Sequence, residues 1–373
     1  MGFHTFQTSY DWGRLDECKA IARQVEGGMI DLSVGSPVDP VPESVRKALA
    51  EAADAPNAHG YPATIGTPAL RTAIADWFLN CRGIDLRPLG AGVVPTVGSK
   101  EAVALMASLL HLGEGDVVVQ PRISYPTYEI GTQLAGAGVL KVDDVSDVES
   151  WRHVPGVRAI WVNSPCNPTG EVLSAARLTS IVAAARQTGA VVLSDECYAL
   201  MSWCSDASPS ALSANVCAGS ADGILALYSL SKQSNMAGYR TAFIAGDKRI
   251  IDEMSVYRKQ IGQIISGPVQ AAMVAALRDT TAVFEQRKRY QQRLAKLVRA
   301  LGEYGYDVKM PSGALYVWVH ALSGGCWQDI EDLAKLGIIV SPGEFYGAPD
   351  FLRISSTATD EAIDVAAERL LSR

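Results

Sequence analysis

The chain has 373 residues, 48% hydrophobic and 20% charged, with a formal net charge of −7. It is long enough for two domains, because single cores stop growing at about 250–300 residues, and its acidic balance argues against nucleic acid or an anionic membrane as the main partner. Seven cysteines, at 18, 81, 166, 197, 204, 217 and 326, are odd in number and lack CxxC spacing, which points to free thiols in a reducing compartment rather than a disulfide framework or a zinc site.

The first residues, to Trp12, carry neither a basic region nor an apolar run, so no signal peptide is expected. No apolar run nears the ~20 residues that a membrane helix needs, and a cytoplasmic protein is expected. Helical spacing over 12–25 ends at Gly27-Gly28. A strand-like run, Met29-Ile-Asp-Leu-Ser33, leads into the turn-rich Val34-Gly-Ser-Pro-Val-Asp-Pro40, where Gly35 lets backbone pass close to a ligand. Pro42 suits the first position of a helix. The loop Gly60-Tyr-Pro-Ala-Thr-Ile-Gly66 holds a lone aromatic, Tyr61, before Thr67-Pro68 opens another helix.

Strand and helix then alternate. The strand at 93–97 runs into Gly98-Ser99-Lys100 and a helix over 101–110, a junction whose free N–H groups and helix dipole make an anion site. A strand at 117–120 precedes Ser124-Tyr125-Pro126 and a helix over 127–135. The strand at 159–162 enters Asn163-Ser-Pro-Cys-Asn-Pro-Thr-Gly170, a turn rigid enough to hold the Asn167 amide at a fixed point. After a helix over 175–186, the strand at 190–193 ends in Ser194-Asp195-Glu196, and the apolar run at 223–227 ends in Tyr228-Ser-Leu-Ser-Lys232, with Arg240 eight residues on. A strand at 241–245, helical patterns over 248–302, strands at 315–319, 338–340 and 351–354, and helices over 327–336 and from 359 complete the chain.

This alternation predicts an α/β fold, with a three-layer α/β/α large domain around a mostly parallel sheet and a smaller α+β domain. The expected division is an N-terminal arm and part of the small domain at 1–41, a large domain at 42–275 and a small domain at 276–373, joined by continuous helix rather than a flexible tether. Ligands of such sheets sit at the carboxyl ends of strands, where Gly98, Asn167, Asp195 and Ser229 fall.

Lys232, flanked by Ser229 and Ser231 and followed by Arg240, sets one amine beside anion-binding groups. A partly desolvated lysine amine condenses with an aldehyde, and pyridoxal 5'-phosphate (PLP) offers both the aldehyde and the anion. Asp195 is costly to bury without a cation; a protonated pyridine nitrogen would supply it and make the ring a better electron sink. Tyr198, three residues on, could give its hydroxyl to the ring oxygen. The five histidines, at 4, 59, 111, 153 and 320, show neither HExxH nor close pairing, so no metal site is expected, and neither a GxGxxG after a strand nor a GxSxG elbow is present. Cys197 reads as a small buried thiol rather than a nucleophile.

Asn167-Pro-Thr-Gly170, Asp195-Glu-Cys-Tyr198 and Ser229-Leu-Ser-Lys232 with Arg240, in this order and at strand ends, resemble the fold-type-I PLP-dependent aminotransferases of class I/II over essentially the whole chain. The resemblance implies that Lys232 is the Schiff-base lysine and the base for the proton shift. It implies that Ser99, the amides of Gly98 and Lys100, Ser229, Ser231 and Arg240 hold the phosphate, with Tyr61 reaching in from the partner subunit of a homodimer. Tyr125 would stack on the ring, Asn167 and Tyr198 would bond its oxygen and Asp195 its nitrogen. Arg353 would grip the substrate α-carboxylate, and Gly35 would line the substrate entrance.

The stretches Asp31-Leu-Ser-Val-Gly-Ser-Pro-Val-Asp-Pro40, Gly60-Tyr-Pro-Ala-Thr-Ile-Gly-Thr67, Tyr125-Pro-Thr-Tyr128 and Gly343-Glu-Phe-Tyr-Gly347 are most similar to actinobacterial-type succinyldiaminopimelate aminotransferases of lysine biosynthesis. That implies amino transfer between N-succinyl-LL-2,6-diaminopimelate and 2-oxoglutarate. The sequence departs from this pattern at Cys166, in place of a serine, and over 319–325. An aspartate or broad-specificity aminotransferase, a carbon–sulfur β-lyase and a non-catalytic fold relative are the alternatives. The distal carboxylates of a succinylated substrate call for a further cation, with Arg14, Arg122, Arg258 and Lys259 as candidates.

Overall fold

The computed structural model describes Phe6 and residues 10–56 and 58–372; the start of the expected N-terminal arm, with His4, lies outside the described residues. The helical stretch near the N-terminus is a 3-10 turn, Trp12–Leu15, followed by the helix Asp16–Arg23. The strand-like run after it contracts to β1 (Ile30–Asp31).

Seven strands form the main sheet: β2 (Ala91–Val97), β3 (Val117–Pro121), β4 (Gly138–Val142), β5 (Val157–Asn163), β6 (Val191–Asp195), β7 (Ile224–Ser229) and β8 (Thr241–Asp247). Their order is β2-β8-β7-β6-β5-β3-β4. From β7 to β4 every neighbouring pair is parallel, whereas β8 runs antiparallel to both β7 and β2. Only residues 230–240 separate β7 from β8, and a parallel crossover needs about a dozen residues or more. β4, which the sequence pattern did not single out, is an edge strand in which only Val142 is fully buried.

Every residue of β7 and β8 is buried, which is why these segments read as unbroken apolar runs. On one face Trp77, Phe78, Tyr228 and Phe243 pack as an aromatic cluster. On the other, Met106, Tyr128, Trp161 and Leu193 belong to a second cluster. The helices bearing them are locally well specified: Pro68–Arg82 has proline in its first turn, the Thr67 side chain capping it and Gly83 closing it at φ 66°, and such a cap contributes about 1 kcal/mol.

The C-terminal part holds β9 (Tyr316–His320), β10 (Ile338–Ile339), β11 (Ser341–Pro342) and β12 (Phe351–Ser355). β12 lies antiparallel between β11 and β9, and β1 pairs in parallel with β10. Leu15, Cys18 and Ala22 therefore share a core with Leu294, Leu301, Ile330 and Ile363. The helical pattern at 248–302 resolves into Lys248–Gln260, Gly267–Arg278 and the 25-residue Thr280–Tyr304. Val283 of this last helix packs against the main core and Leu294, Leu297 and Leu301 enter the C-terminal one. Among the described residues no helix is long and apolar enough to cross a membrane.

Two reversals at β8 leave β2 pointing the same way as β5, β6 and β7. Gly98, Asn167, Asp195 and Ser229 consequently gather along one edge of the sheet.

Candidate active site

At that edge lies a cavity of about 360 Å³, roofed by the segment around Gly35 and by Tyr316, Tyr346 and Arg353. Lys232 enters it from the one-turn helix Leu230–Gln233, which starts directly off β7 with Ser229 as its cap. Ser229 Oγ accepts from the Ser231 amide at 3.1 Å and bonds Ser231 Oγ at 2.8 Å. Lys232 Nζ donates to the Gly35 carbonyl. Burial, together with the positive charge of Arg353, pulls the amine down to about 8.

Asp195 ends β6. It accepts hydrogen bonds from Tyr128 Oη at 2.7 Å and the Cys197 amide at 3.1 Å, and no cation among the described residues pairs with it. Burial pushes its carboxyl up. Tyr128 is held in turn by stacking on Trp161, with centroids 4.5 Å apart. Burial also raises the Cys197 thiol well above its ordinary range, so it is an inert neutral group beside the site.

The turn after β5 is tied internally. Asn163 Oδ1 accepts from the Asn167 amide at 2.8 Å, and Asn163 Nδ2 donates to the Asp195 carbonyl at 3.0 Å, lashing the turn to β6. Asn167 Oδ1 then accepts from Arg353 Nη1 at 2.9 Å, while Arg353 Nη2 donates to the Ser33 carbonyl at 2.6 Å. The guanidinium lies 4.1 Å from the ring centre of Tyr316 and 4.7 Å from that of Tyr346. Arg353 is buried, its Nε has no partner and no carboxylate pairs with it among the described residues. A buried cation without a counter-ion is a place prepared for an anion.

Tyr316 also bonds the Tyr198 hydroxyl at 2.7 Å and presses on Gly35, where a Cβ would collide with Tyr316 Oη. At the other end of the cavity the helix Ser99–Leu109 begins at Gly98, whose φ of 76° is left-handed. A Cβ on Gly98 would run into Arg240 Nη2. Arg240 therefore lies across a helix N-terminus, beside Ser99, Ser229 and Ser231, all lining the cavity. Lys100 and Tyr125 line it as well, whereas Tyr61 is 99% exposed and does not reach the cavity of its own chain.

These groups fit PLP on their own terms: an unpaired buried carboxylate, an amine poised to lose its proton, and an anion cradle that a side chain at Gly98 would fill. The sequence family Aminotransferase class I and II matches residues 27–370. The chain belongs to this family. It is a PLP-dependent aminotransferase of fold type I. It is 44% identical to the 4-dedimethylamino-4-oxo-anhydrotetracycline transaminase OxyQ of Streptomyces rimosus, over 97% of this chain and 98% of that protein. It is 43% identical to a probable aminotransferase of Mycobacterium tuberculosis, over 97% of this chain and 84% of that one. The solved structure of a probable N-succinyldiaminopimelate aminotransferase from Thermus thermophilus superposes with a TM-score of 0.84 at 26% identity, covering 97% of this chain and 99% of that one.

In this aminotransferase the four cations considered for distal carboxylates stand outside the cavity. Arg258 is fully buried against Glu101 at 3.0 Å, Arg14 is paired with Glu344, Arg122 with Asp143 at 2.7 Å, and Lys259 is exposed on its helix. Long cationic side chains read alike in sequence whether paired or free. Sequence reasoning also assigns no role to Tyr128, Tyr316 and Tyr346: Tyr316 sits in an apolar run like any core position, and Tyr128 and Tyr346 stand only within longer similar stretches.

Proposed function

We propose that this aminotransferase moves the amino group between N-succinyl-LL-2,6-diaminopimelate and 2-oxoglutarate. The observation that carries the reading is the buried, unpaired guanidinium of Arg353, the group suited to a bidentate α-carboxylate pair. Lys100 lines the same cavity and pairs with no carboxylate among the described residues, so it is the cation available to a distal carboxylate. The stretches that resemble succinyldiaminopimelate aminotransferases, and the likeness to the probable N-succinyldiaminopimelate aminotransferase of Thermus thermophilus, support that substrate.

Bound PLP supplies an electron sink that makes the substrate Cα–H acidic. Arg353 orients the substrate so that this hydrogen faces Lys232 Nζ, which takes the proton as a neutral amine; a value near 8 favours that form far more than an ordinary lysine would. Asp195 pairs with the ring nitrogen. Asn167, its Oδ1 held by Arg353, keeps its Nδ2 to donate to the ring oxygen, as the Tyr198 hydroxyl also does. Ser99, Ser229, Ser231, Arg240 and the amides of Gly98 and Lys100 hold the phosphate, and Tyr125 covers the ring. Tyr61, fully exposed on its own chain, completes the cradle of a second copy in a homodimer. The division at 42–275 and 276–373, with 1–41 joining the latter, lets the part bearing Arg353 close on the part bearing Lys232.

The 44% identity to OxyQ favours a second reading, in which the amino acceptor is a ketone on a fused-ring scaffold; the aromatic walls at Trp12, Tyr316 and Tyr346 suit it. Glutamate formation from N-succinyl-LL-2,6-diaminopimelate should exceed that from aspartate by about tenfold or more in kcat/KM. Preference for aspartate, or for amination of a fused-ring ketone, would overturn the first reading.

A further inference from the structure

Both cations that face the reacting groups lean on one irregular segment. Arg353 Nη2 donates to the Ser33 carbonyl and Lys232 Nζ to the Gly35 carbonyl, yet residues 32–42 form neither helix nor strand. Its first residues are tied to the strand beside Arg353, the Leu32 carbonyl accepting from the Ser355 amide at 2.8 Å and the Val34 carbonyl from Thr357 Oγ1 at 3.2 Å; its far end needs a hold of its own.

Asp39 supplies the hold. Its two oxygens accept from Arg293 Nη1 and Nη2, each at 2.8 Å, and Oδ2 accepts also from Gln286 Nε2 at 2.8 Å. The side chain of Arg293 is 2% exposed and that of Asp39 10%. Asn235, in the loop between Lys232 and Arg240, donates through Nδ2 to the Pro40 carbonyl at 3.2 Å and to Gln286 Oε1 at 3.0 Å, and its Oδ1 accepts from Tyr290 at 3.2 Å. Arg293 Nε reaches away, to Asp360 at 2.7 Å. A buried ion pair gives little net stability over an apolar pair of the same volume; a two-bond fork gives fixed geometry.

We propose that Asp39 and Arg293, with Gln286 and Asn235, form a positioning clamp that sets the segment 33–40 over the cavity and so, through the Ser33 carbonyl, fixes the Arg353 guanidinium. The proposal rests on Arg353 being the carboxylate grip.

The test is calorimetric titration of the PLP-loaded enzyme with maleate, a dicarboxylate that cannot be transaminated. Asp39→Asn should weaken maleate by about tenfold, while Asp360→Asn, which loosens the same arginine from the other side, should change it by less than about twofold. If Asp39→Asn does not fold, Asn235→Gly serves instead, because glycine accepts the φ of 53° there, and it should weaken maleate by about threefold. Equal weakening by Asp39→Asn and Asp360→Asn, or affinity kept within about twofold by Asp39→Asn and Asn235→Gly while Arg353→Gln abolishes binding, overturns the clamp and leaves the grip standing. Unchanged affinity in Arg353→Gln overturns the grip itself.

Discussion

The hydroxyl of Tyr128 lies 2.7 Å from Oδ2 of Asp195, at the floor of the cavity and out of reach of solvent. A hydrogen bond to a charged group contributes about 1.5–3 kcal/mol, and this one favours the ionised carboxyl against the burial that raises it. Tyr128→Phe keeps the ring stacked on Trp161 and removes the donor. The dissociation constant of PLP, measured by titrating the cofactor-free protein, is expected to rise by about tenfold or more.

Arg353 uses both terminal nitrogens to hold its own pose and has no counter-ion among the described residues. Arg353→Lys retains the charge and loses the planar fork. The KM for the amino donor should rise by about ten- to a hundredfold, with a smaller fall in kcat, in steady-state assays.

Lys232 titrates in the folded chain at about 8, below its ordinary 10.5. Between these values the unfolded chain binds the extra proton, so the stability of the cofactor-free protein rises with pH across that window. Below 8 the folded chain carries the buried ammonium beside Arg353 and the penalty is fully present. Lys232→Met should therefore melt above the parent protein at neutral pH, an advantage that fades as the pH passes from 8 to 10.5; a pH-independent difference would contradict the burial of the amine.

Gly98 combines a left-handed φ with a guanidinium pressed against its Cα. Gly98→Ala should cost about 1–3 kcal/mol in thermal or denaturant unfolding from backbone strain alone, because φ 76° with ψ 163° is a region essentially reserved for glycine. The larger effect falls on the cradle, because Arg240 must move aside, and PLP affinity is expected to drop by more than the stability change.

Much of this site was legible because its chemistry sits next to the signal that locates it. Lys232, Asp195 and Ser229 directly follow apolar runs, and an apolar run before a polar cluster marks a strand end. Tyr198 and Tyr316 are 118 positions apart, and no local pattern tells an aromatic core residue from one that faces a ligand. The composition of β8 does not give its direction, because a fully buried strand reads the same whichever way it runs; only the short link of residues 230–240 after β7 marks the reversal. β4 escaped because an edge strand exposes most of its side chains and its apolar contrast fades. The link between Asp39 and Arg293 joins two charges 254 positions apart, and no local pattern pairs them.

The helix Thr280–Tyr304 touches both cores, with Arg287 bonding the carbonyls of Ser202 and Ser205 on one side and Leu294 to Leu301 packed on the other. Because its 25 residues make a stiff rod of about 37 Å, a tilt of about 5° at one end carries the other through about 3 Å. That is about one hydrogen-bond length, so the straightness of this one helix sets how closely the two cores it contacts are held in register.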